Sequence, residues 1–324
     1  MKGAIKMIVL VLLLFVGVPL VIGMSAWNAS REDDTSDYKI RTPDKVKVWI
    51  SEEGKTKKID FEEYVLCVVA SEMPSSFEEE ALKAQAVAVR TYAMSRILKY
   101  EETQNETHKE SPLCDTVHCQ VYKTTDELVQ AHGKDWKNSG LVKIKKACAE
   151  TEGELLYYNK KLVTQPLFFS SSGGQTENSE DVFSGEYPYL VSVPSPYEDG
   201  AKHENEKKTF SFKEVENKMN SAFSDRETGT VGKDNIKILS RTAGGRVDRM
   251  QIGKSTYKGT EVRSGLGLSS ALFSVVIKEN GIEITSSGYG HGVGLSQYGA
   301  NGMAKQGKNY KEILSYYYTG TEVF

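Results

Sequence analysis

The sequence predicts an N-terminal transmembrane helix followed by an α+β fold, in which early helices pack on a mostly antiparallel sheet. An apolar run covers residues 7–24, two helical patterns lie between residues 61 and 99, and short apolar runs alternate with turn residues after Gly153. The 28 glycines and 17 tyrosines are more typical of turns and strands than of a helical bundle. A formal net charge of −3 excludes a general basic field that would attract nucleic acid.

The first 44 residues divide into three predicted segments. Lysines precede the apolar run, so the positive-inside bias places residues 1–6 in the cytoplasm and the rest of the chain outside. Residues 7–24 would span about 27 Å as a helix, which is close to the hydrocarbon thickness of a bilayer. A cleaved signal peptide is the alternative, but the run is longer than a typical signal core. We therefore expect a single-pass anchor in the cell membrane, a flexible tether at residues 25–44 and one domain at residues 45–324.

A hairpin and a short helix are predicted at the start of this domain. Lys45–Ile50 and residues 56–59 have the alternation and the intervening glycine of paired strands. Asp60 is expected to cap a helix over residues 61–72, which ends there because the residue before Pro74 is pushed out of the helical region.

The second helix is alanine-rich and is predicted from Ser76 to about Lys99. Glu79 lies three residues after Ser76, which is the spacing of a capping box. Later helices are expected at residues 211–220 and 310–318. Short strands are expected at residues 155–158, 167–169, 247–252 and 273–277.

Glu72 is the candidate catalytic group. Phe61, Val65, Val68 and Glu72 follow three- and four-residue spacing, so Glu72 lies on the apolar face of its helix. Burial and the negative end of the helix dipole would both raise its pKa, as a general acid near neutral pH requires. Helix geometry alone favours a glutamate that turns outward at a frayed end, so the carboxylate needs further support.

Ordered sequence blocks supply that support. Between about residue 45 and the end of the chain, they are residues 70–74, 80–92, 170–178, 187–190, 290–300 and 303–304. In sequence and in order, these blocks are similar to the stage II sporulation protein D family, which shares a domain with the LytB amidase-enhancer proteins.

The resemblance implies a lytic transglycosylase that cleaves the bond from N-acetylmuramic acid to N-acetylglucosamine without water and leaves 1,6-anhydromuramic ends. Glu72 would be its acid and base. The implied substrate is a peptidoglycan strand stripped of stem peptides, during spore engulfment at the engulfing mother-cell membrane. The implied partners are an amidase of the sporulation protein P type and a membrane scaffold of the sporulation protein M type. Alternatives are a hydrolase with Asp181 or Glu177 as the second carboxylate, a glycan-binding enhancer of an amidase, and a zinc-dependent amidase.

Several residues are expected to bind the sugar. The resemblance suggests that Arg90 lines the cleft and binds the sugar. The alternative is that Arg90 forms a structural ion pair with one of the glutamates at residues 78–80. Lys83 is a weaker candidate for sugar binding. Glycine-rich blocks would let the chain approach a sugar closely, although tight turns without a ligand explain them equally well. The candidates in and near these blocks are Ser172, Gly173, Gln175, Thr176, His291 and Gln297.

A candidate metal site lies in the polar segment after the second helix. His108, Cys114, His118 and Cys119 offer the Cys2His2 set that Zn²⁺ prefers, and four protein ligands indicate a structural rather than a catalytic ion. A disulfide between Cys114 and Cys119, or free thiols, are the alternatives. Some members of the resembled family carry a metal here, which supports zinc. The other cysteines, at positions 67 and 148, are expected to be buried.

Overall fold

The computed structural model describes residues 38–103, 108 and 110–324. The predicted cytoplasmic segment 1–6, the anchor 7–24 and the first part of the tether therefore lie outside the described residues. Within the described residues, no helix is both long enough and apolar enough to cross a membrane. Residues Thr42–Phe324 form one compact unit.

Helices and strands alternate irregularly along this unit. The helices are α1 (Phe61–Glu72), α2 (Glu79–Thr103), α3 (Thr125–His132), α4 (Lys134–Asn138), α5 (Gly140–Ala149), α6 (Ser179–Val182), α7 (Phe212–Ala222), α8 (Gly259–Leu266), α9 (Gln297–Lys305) and α10 (Tyr310–Tyr317). The strands are β1 (Lys45–Ile50), β2 (Lys55–Asp60), β3 (Leu113–Cys114), β4 (Leu156–Tyr158), β5 (Lys161–Leu162), β6 (Phe168–Phe169), β7 (Glu206–Ser211), β8 (Ile236–Arg241), β9 (Val247–Ile252), β10 (Ser255–Lys258), β11 (Phe273–Ile277), β12 (Gly281–Ser286), β13 (Leu295–Ser296) and β14 (Thr321–Val323).

The start of the domain confirms the predicted hairpin and first helix. β1 and β2 pair antiparallel, and Asp60 caps α1 by accepting the backbone N–H of Glu63. The predicted start of α2 at Ser76 is wrong, because α2 begins at Glu79. The backbone N–H of Glu78 donates instead to Asn301 Oδ1 on α9, at 2.8 Å, so a distant side chain satisfies this helix end.

The expected single sheet is wrong in one respect: the described strands form five small sheets. Their pairings are mostly antiparallel, as predicted, but β1 pairs with β3 and β6 with β13 in parallel. Most of these strands are only two to six residues long, so each sheet stays small and packs on neighbouring helices.

Two hydrophobic cores lie within the unit. The first surrounds α1 and α2, and the alanines of α2 let α5, α9 and α10 pack closely on it. The second is built from β7 to β12 with α7 and α8, and its buried side chains include Phe210, Met250 and Tyr257.

Arg90 and Lys83 are both occupied in ion pairs within the fold. Arg90 is fully buried, and its Nε and Nη2 donate to Glu62 Oε1 and Oε2 at 2.8 and 2.7 Å. The expectation that Arg90 lines the cleft is therefore wrong, and its partner lies on α1 rather than among residues 78–80. Lys83 contacts Glu80 at 2.8 Å and Glu150 at 2.6 Å. Both side chains tie α2 to its neighbours.

We predict that Arg90→Met destabilises the protein by about 3 kcal/mol, because it leaves Glu62 without its guanidinium partner. The double variant Arg90→Met/Glu62→Leu should recover part of this loss, since no unpaired charge remains. Urea unfolding of the two variants measures both effects. Lys146→Met is the control, because that exposed lysine pairs with Glu79 at the surface and should contribute at most about 1 kcal/mol. Arg90→Met with native stability but lost glycan binding would contradict the structural role.

Candidate active site

A pocket of about 680 Å³ lies at the end of α1. It is formed by the end of α1, one face of α2, residues 117–120 of the Cys/His segment, and several segments of the C-terminal half. Its lining residues are Glu72, Tyr92, Arg96, Val117, His118, Cys119, Gln120, Pro166, Leu167, Phe168, Phe169, Ser170, Phe183, Tyr289, Gly290, His291 and Gln297. Glu72 is the only carboxylate among these described residues.

Glu72 is the last residue of α1, and its carboxylate is partly buried. Met73 has extended backbone, so the chain leaves the helix and the Glu72 side chain faces the pocket. Its Oε1 accepts the backbone N–H of Val121 at 3.3 Å. Burial raises the pKa of Glu72, and the hydrogen bond from Val121 opposes this only in part. No ion pair joins Glu72 to a cation of the described residues, so the carboxyl group is suited to hold a proton.

Of the expected sugar-binding residues, His291 and Gln297 line this pocket. His291 Nδ1 accepts the N–H of Val293 at 3.1 Å and its Nε2 lies 3.0 Å from the carbonyl oxygen of Phe168. Burial lowers the pKa of His291 to about 4, so the ring is neutral and shapes the wall rather than moving protons. Gln297 Nε2 is buried and has no acceptor among the described residues, so it can donate to a bound sugar.

The other glycine-block candidates do not line the pocket. The N–H groups of Ser172 and Gly173 donate to the carboxylate of Glu198 at 2.8–2.9 Å. Gln175 Nε2 donates to Ser192 Oγ at 2.8 Å, and Thr176 Oγ1 donates to the carbonyl of Val193 at 3.2 Å. These contacts match the alternative in which the glycine-rich block forms tight turns without a ligand. The expectation that Ser172, Gly173, Gln175 and Thr176 contact the sugar is not supported by their positions.

The two candidate second carboxylates also lie outside the pocket. Glu177 is fully buried, pairs with Arg246 at 3.2 Å and accepts the hydroxyl of Thr242 at 2.9 Å. Asp181 accepts Asn178 Nδ2 at 3.0 Å and, with Glu177, lines a smaller cavity that shares Gly290 and His291 with the Glu72 pocket. Neither carboxylate is among the residues that line the Glu72 pocket itself.

Sequence reasoning missed several pocket residues. Tyr92 and Arg96 lie one turn apart on α2, and the Arg96 guanidinium stacks over the Tyr92 ring at 4.6 Å. Gln120 and Phe183 lie in segments with no recognisable motif. The four-residue spacing on α2 and the position of Tyr289 directly before Gly290 were signals that could have identified Arg96 and Tyr289.

The Cys/His residues come together as the spacing predicted. Their four ligand atoms lie within 4.8 Å of one another. Cys119 Sγ lies 3.2 Å from His108 Nε2 and 3.7 Å from His118 Nδ1, which brackets the separation of about 3.5 Å between sulfur and nitrogen in a tetrahedral zinc site. All four cysteines of the chain are free thiols, so the disulfide alternative is not formed, and Cys67 and Cys148 are buried as expected.

This cluster is connected to the pocket through the chain. His118 and Cys119 belong to the cluster and also line the pocket. The next residue, Gln120, accepts a hydrogen bond from the hydroxyl of Tyr64 on α1 at 3.1 Å. Val121, which donates to Glu72, follows directly. The conformation of the Cys/His segment therefore sets the position of the backbone N–H that the Glu72 carboxylate accepts.

Comparisons with known proteins show to which family this chain belongs. A family model described as Stage II sporulation protein matches residues 50–158. The stage II sporulation protein D of Bacillus subtilis (strain 168) is 40% identical over 282 residues, which is 87% of this chain and 79% of that relative. The chain belongs to the stage II sporulation protein D family. The protein of the same name from Bacillus amyloliquefaciens is also 40% identical, over 284 residues, 87% of this chain and 79% of its own length.

A relative of lower identity has a different name. A Bacillus subtilis protein named Amidase enhancer is 29% identical over 302 residues, which cover 78% of this chain and 39% of that protein. The family model covers Glu72 and the Cys/His residues, whereas Tyr289, His291 and Gln297 lie beyond its match. The structure of this family member joins both parts in one pocket.

We predict that Glu72→Gln makes the protein more stable at pH 7, because it removes a partly buried charge and keeps an oxygen that can accept the Val121 N–H. Because the pKa of Glu72 is raised in the folded state, its ionised form lowers the free energy of unfolding at high pH. Below the usual glutamate pKa of 4.5, the group is protonated in both the folded and the unfolded state and has no such effect. The gain in melting temperature should therefore shrink as the pH falls from the raised pKa of Glu72 towards 4.5, and should be absent below 4.5. Exposed Glu52→Gln is the control and should show no such gain. A less stable Glu72→Gln at pH 7 would mean that the carboxylate makes a favourable ionic contact.

Proposed function

We propose that this protein is a lytic transglycosylase that cleaves the bond from N-acetylmuramic acid to N-acetylglucosamine in peptidoglycan. The observation that carries the proposal is that Glu72 is the only carboxylate among the described residues that line its pocket. Ordinary glycoside hydrolases use two carboxylates, about 5–10 Å apart, to activate water or form a covalent intermediate. A pocket with one carboxylate suits a reaction in which the substrate supplies its own nucleophile.

One carboxyl group can perform both proton transfers of that reaction. Protonated Glu72 donates its proton to the glycosidic oxygen, and the bond from that oxygen to C1 of the muramic ring breaks. The resulting carboxylate then takes the proton of the C6 hydroxyl as this oxygen bonds to C1, which forms the 1,6-anhydro ring. No water is consumed and Glu72 ends protonated, so the raised pKa supports the role at both steps.

The rest of the pocket can bind a sugar strand. Phe168, Phe169 and Phe183 give apolar surface for the faces of sugar rings, and the free Nε2 of Gln297 can donate to an acetamido carbonyl. His291 and Gly290 also line the pocket. The arrangement resembles other ligand pockets in which a mostly apolar lining carries a few polar groups that orient the substrate.

The biological setting follows from the relatives. The named relatives are sporulation proteins and an amidase enhancer, which supports a role on cell-wall glycan. We propose that the substrate is denuded strands during spore engulfment, supplied by an amidase of the sporulation protein P type. A scaffold of the sporulation protein M type would hold the two together at the outer face of the engulfing mother-cell membrane, to which residues 7–24 would anchor this chain.

A non-catalytic enhancer of an amidase is the second candidate, and the similarity to the Amidase enhancer favours it. Both candidates need a glycan-binding pocket. They differ in whether Glu72 must titrate, since an enhancer has no use for a carboxyl group with a raised pKa.

We predict that the purified protein releases anhydromuramic products from amidase-treated peptidoglycan and that Glu72→Gln lowers the rate by at least about 10²-fold, the usual contribution of a general acid and base. Mass spectrometry of the products measures both. Glu63→Gln is a matched control, since it removes an exposed carboxylate from the same helix outside the pocket. Glycan binding without cleavage by the native protein would instead favour the enhancer.

We also propose that His108, Cys114, His118 and Cys119 hold a structural zinc ion. The donor set and its spacing fit tetrahedral coordination, and four protein ligands leave no open position for a catalytic water. This argues against the zinc-dependent amidase. Bound zinc would supply fixed geometry only: it would hold the segment whose Val121 N–H contacts Glu72.

We predict that the protein, purified without chelator, contains about one zinc ion per chain and that Cys119→Ser loses it. Removal of zinc should lower the melting temperature, because the ion binds the folded chain. Elemental analysis and thermal unfolding measure these effects. Cys67→Ser is the control and should keep the metal, since Cys67 lies on α1 among apolar side chains. A metal-free native protein, or a mass that shows a disulfide, would contradict the site.

A further inference from the structure

A second pocket lies beside the Glu72 pocket and shares Tyr289 with it. Its volume is about 530 Å³, which is within the range of sites for small ligands. It is lined by residues of β7 and α8, by residues 267–269 after α8, by His203 before β7 and by Tyr289 after β12. Because one side chain lines both pockets, a chain of sugars that fills the first can reach the second.

Arg263 is fixed against the loop that joins the two pockets. Its Nε donates to the carbonyl oxygen of Ser269 at 3.2 Å. The same oxygen accepts the backbone N–H of Gly290 at 3.1 Å. Gly290 lies between Tyr289 of the second pocket and His291 of the first, so the guanidinium has a defined position relative to both.

The guanidinium of Arg263 has no carboxylate partner among the described residues. Glu206, the acidic residue of this pocket, contacts His203 Nδ1 at 3.0 Å and Lys208 Nζ at 3.7 Å. Lys208 also donates to the carbonyl of Gly267 at 2.6 Å. Partial burial lowers the pKa of Arg263, as expected for a cation that has lost hydration without a compensating anion. Its Nη1 and Nη2 remain available for a ligand.

An aromatic surface lies next to this cation. Tyr289 is 46% exposed, and its ring stacks on His203 with centroids 4.4 Å apart and an interplanar angle of 30°. A stacked, half-exposed ring holds its orientation and offers an apolar face on which a sugar ring can lie. The pocket thus combines a ring-binding surface with two free donors in a planar fork.

We propose that Arg263 binds the free lactyl carboxylate of a muramic acid unit, while Tyr289 supports the sugar chain between the two pockets. A planar guanidinium binds a carboxylate through two parallel, charge-assisted hydrogen bonds. The lactyl group carries this carboxylate only after its stem peptide is removed, because the attached peptide converts it to a neutral amide. Arg263 is therefore the residue that selects denuded strands. This inference rests on the proposed function only in taking cell-wall glycan as the ligand.

The test measures binding without cleavage, so that its outcome does not depend on the enzymatic activity. Glu72→Gln protein is titrated calorimetrically with three tetrasaccharides of equal length. The first alternates N-acetylglucosamine with peptide-free N-acetylmuramic acid. The second carries on its lactyl groups stem dipeptides whose own carboxyl groups are blocked as amides, and the third is an N-acetylglucosamine oligomer that lacks lactyl groups. The same titrations are repeated with the double variant Glu72→Gln/Arg263→Gln. The control is the double variant Glu72→Gln/Arg249→Gln, because Arg249 is an exposed arginine on the neighbouring strand β9.

We expect the first ligand to bind about tenfold more tightly than the other two, the usual effect of one hydrogen-bonded charge pair. Arg263→Gln should abolish this preference and leave binding of the N-acetylglucosamine oligomer unchanged, whereas Arg249→Gln should retain the preference. A preference that survives Arg263→Gln would overturn the proposal. So would an equal loss of all three ligands by an Arg263→Gln protein whose melting temperature is unchanged. Absence of binding of all three ligands to the Glu72→Gln protein would instead contradict the proposed function.

Discussion

The central feature of the pocket is the partly buried carboxylate of Glu72, which has no cationic partner among the described residues. Removing a carboxylate from water is costly unless other groups replace its hydration, and Glu72 receives one long hydrogen bond, from the backbone of Val121. This contact joins two regions that are distant in sequence, the end of α1 and the segment after the Cys/His cluster. The position of that segment therefore affects the pKa of Glu72, which burial raises and the Val121 hydrogen bond lowers in part. We therefore regard the cluster and the carboxylate as one structural unit.

Other buried carboxylates of the protein show what a structural role looks like. Glu198 accepts two backbone N–H groups and the hydroxyl groups of Ser195 and Ser296, so its charge is well compensated. Glu177 pairs with Arg246, and Glu62 pairs with Arg90 through both oxygens. These groups hold loops and helices in place. The contrast with Glu72 is the physical basis for assigning chemistry to one carboxylate and architecture to the rest.

The sequence predicted features that depend on local rules. The β1–β2 hairpin, the Asp60 cap and the end of α1 before Pro74 follow from turn, capping and proline geometry, and the Cys/His cluster follows from short spacing. The start of α2 was missed because Asn301, more than 200 residues away, satisfies that helix end. Short helices such as α3 and α8 were missed because their apolar stripes extend over only about two turns.

The sugar-binding residues were predicted less well, for a related reason. A glycine-rich block can serve a ligand or a tight turn, and only the position of Glu198 decides between them for Ser172 and Gly173. The sequence alone does not distinguish the roles of Arg90 and Arg263. In the structure, Arg90 forms an ion pair with Glu62, whereas Arg263 lines a pocket. Tertiary partners decide whether a charged side chain is structural or free to bind.

The most direct test of the account is the fate of solvent oxygen during cleavage. Denuded glycan would be digested in water enriched in the heavy oxygen isotope, and the new muramic ends would be analysed by mass spectrometry. A single carboxylate that uses the substrate's own C6 hydroxyl predicts anhydro ends that contain no label. One labelled oxygen at each new end would show that water is the nucleophile, and would contradict the claim that Glu72 acts alone.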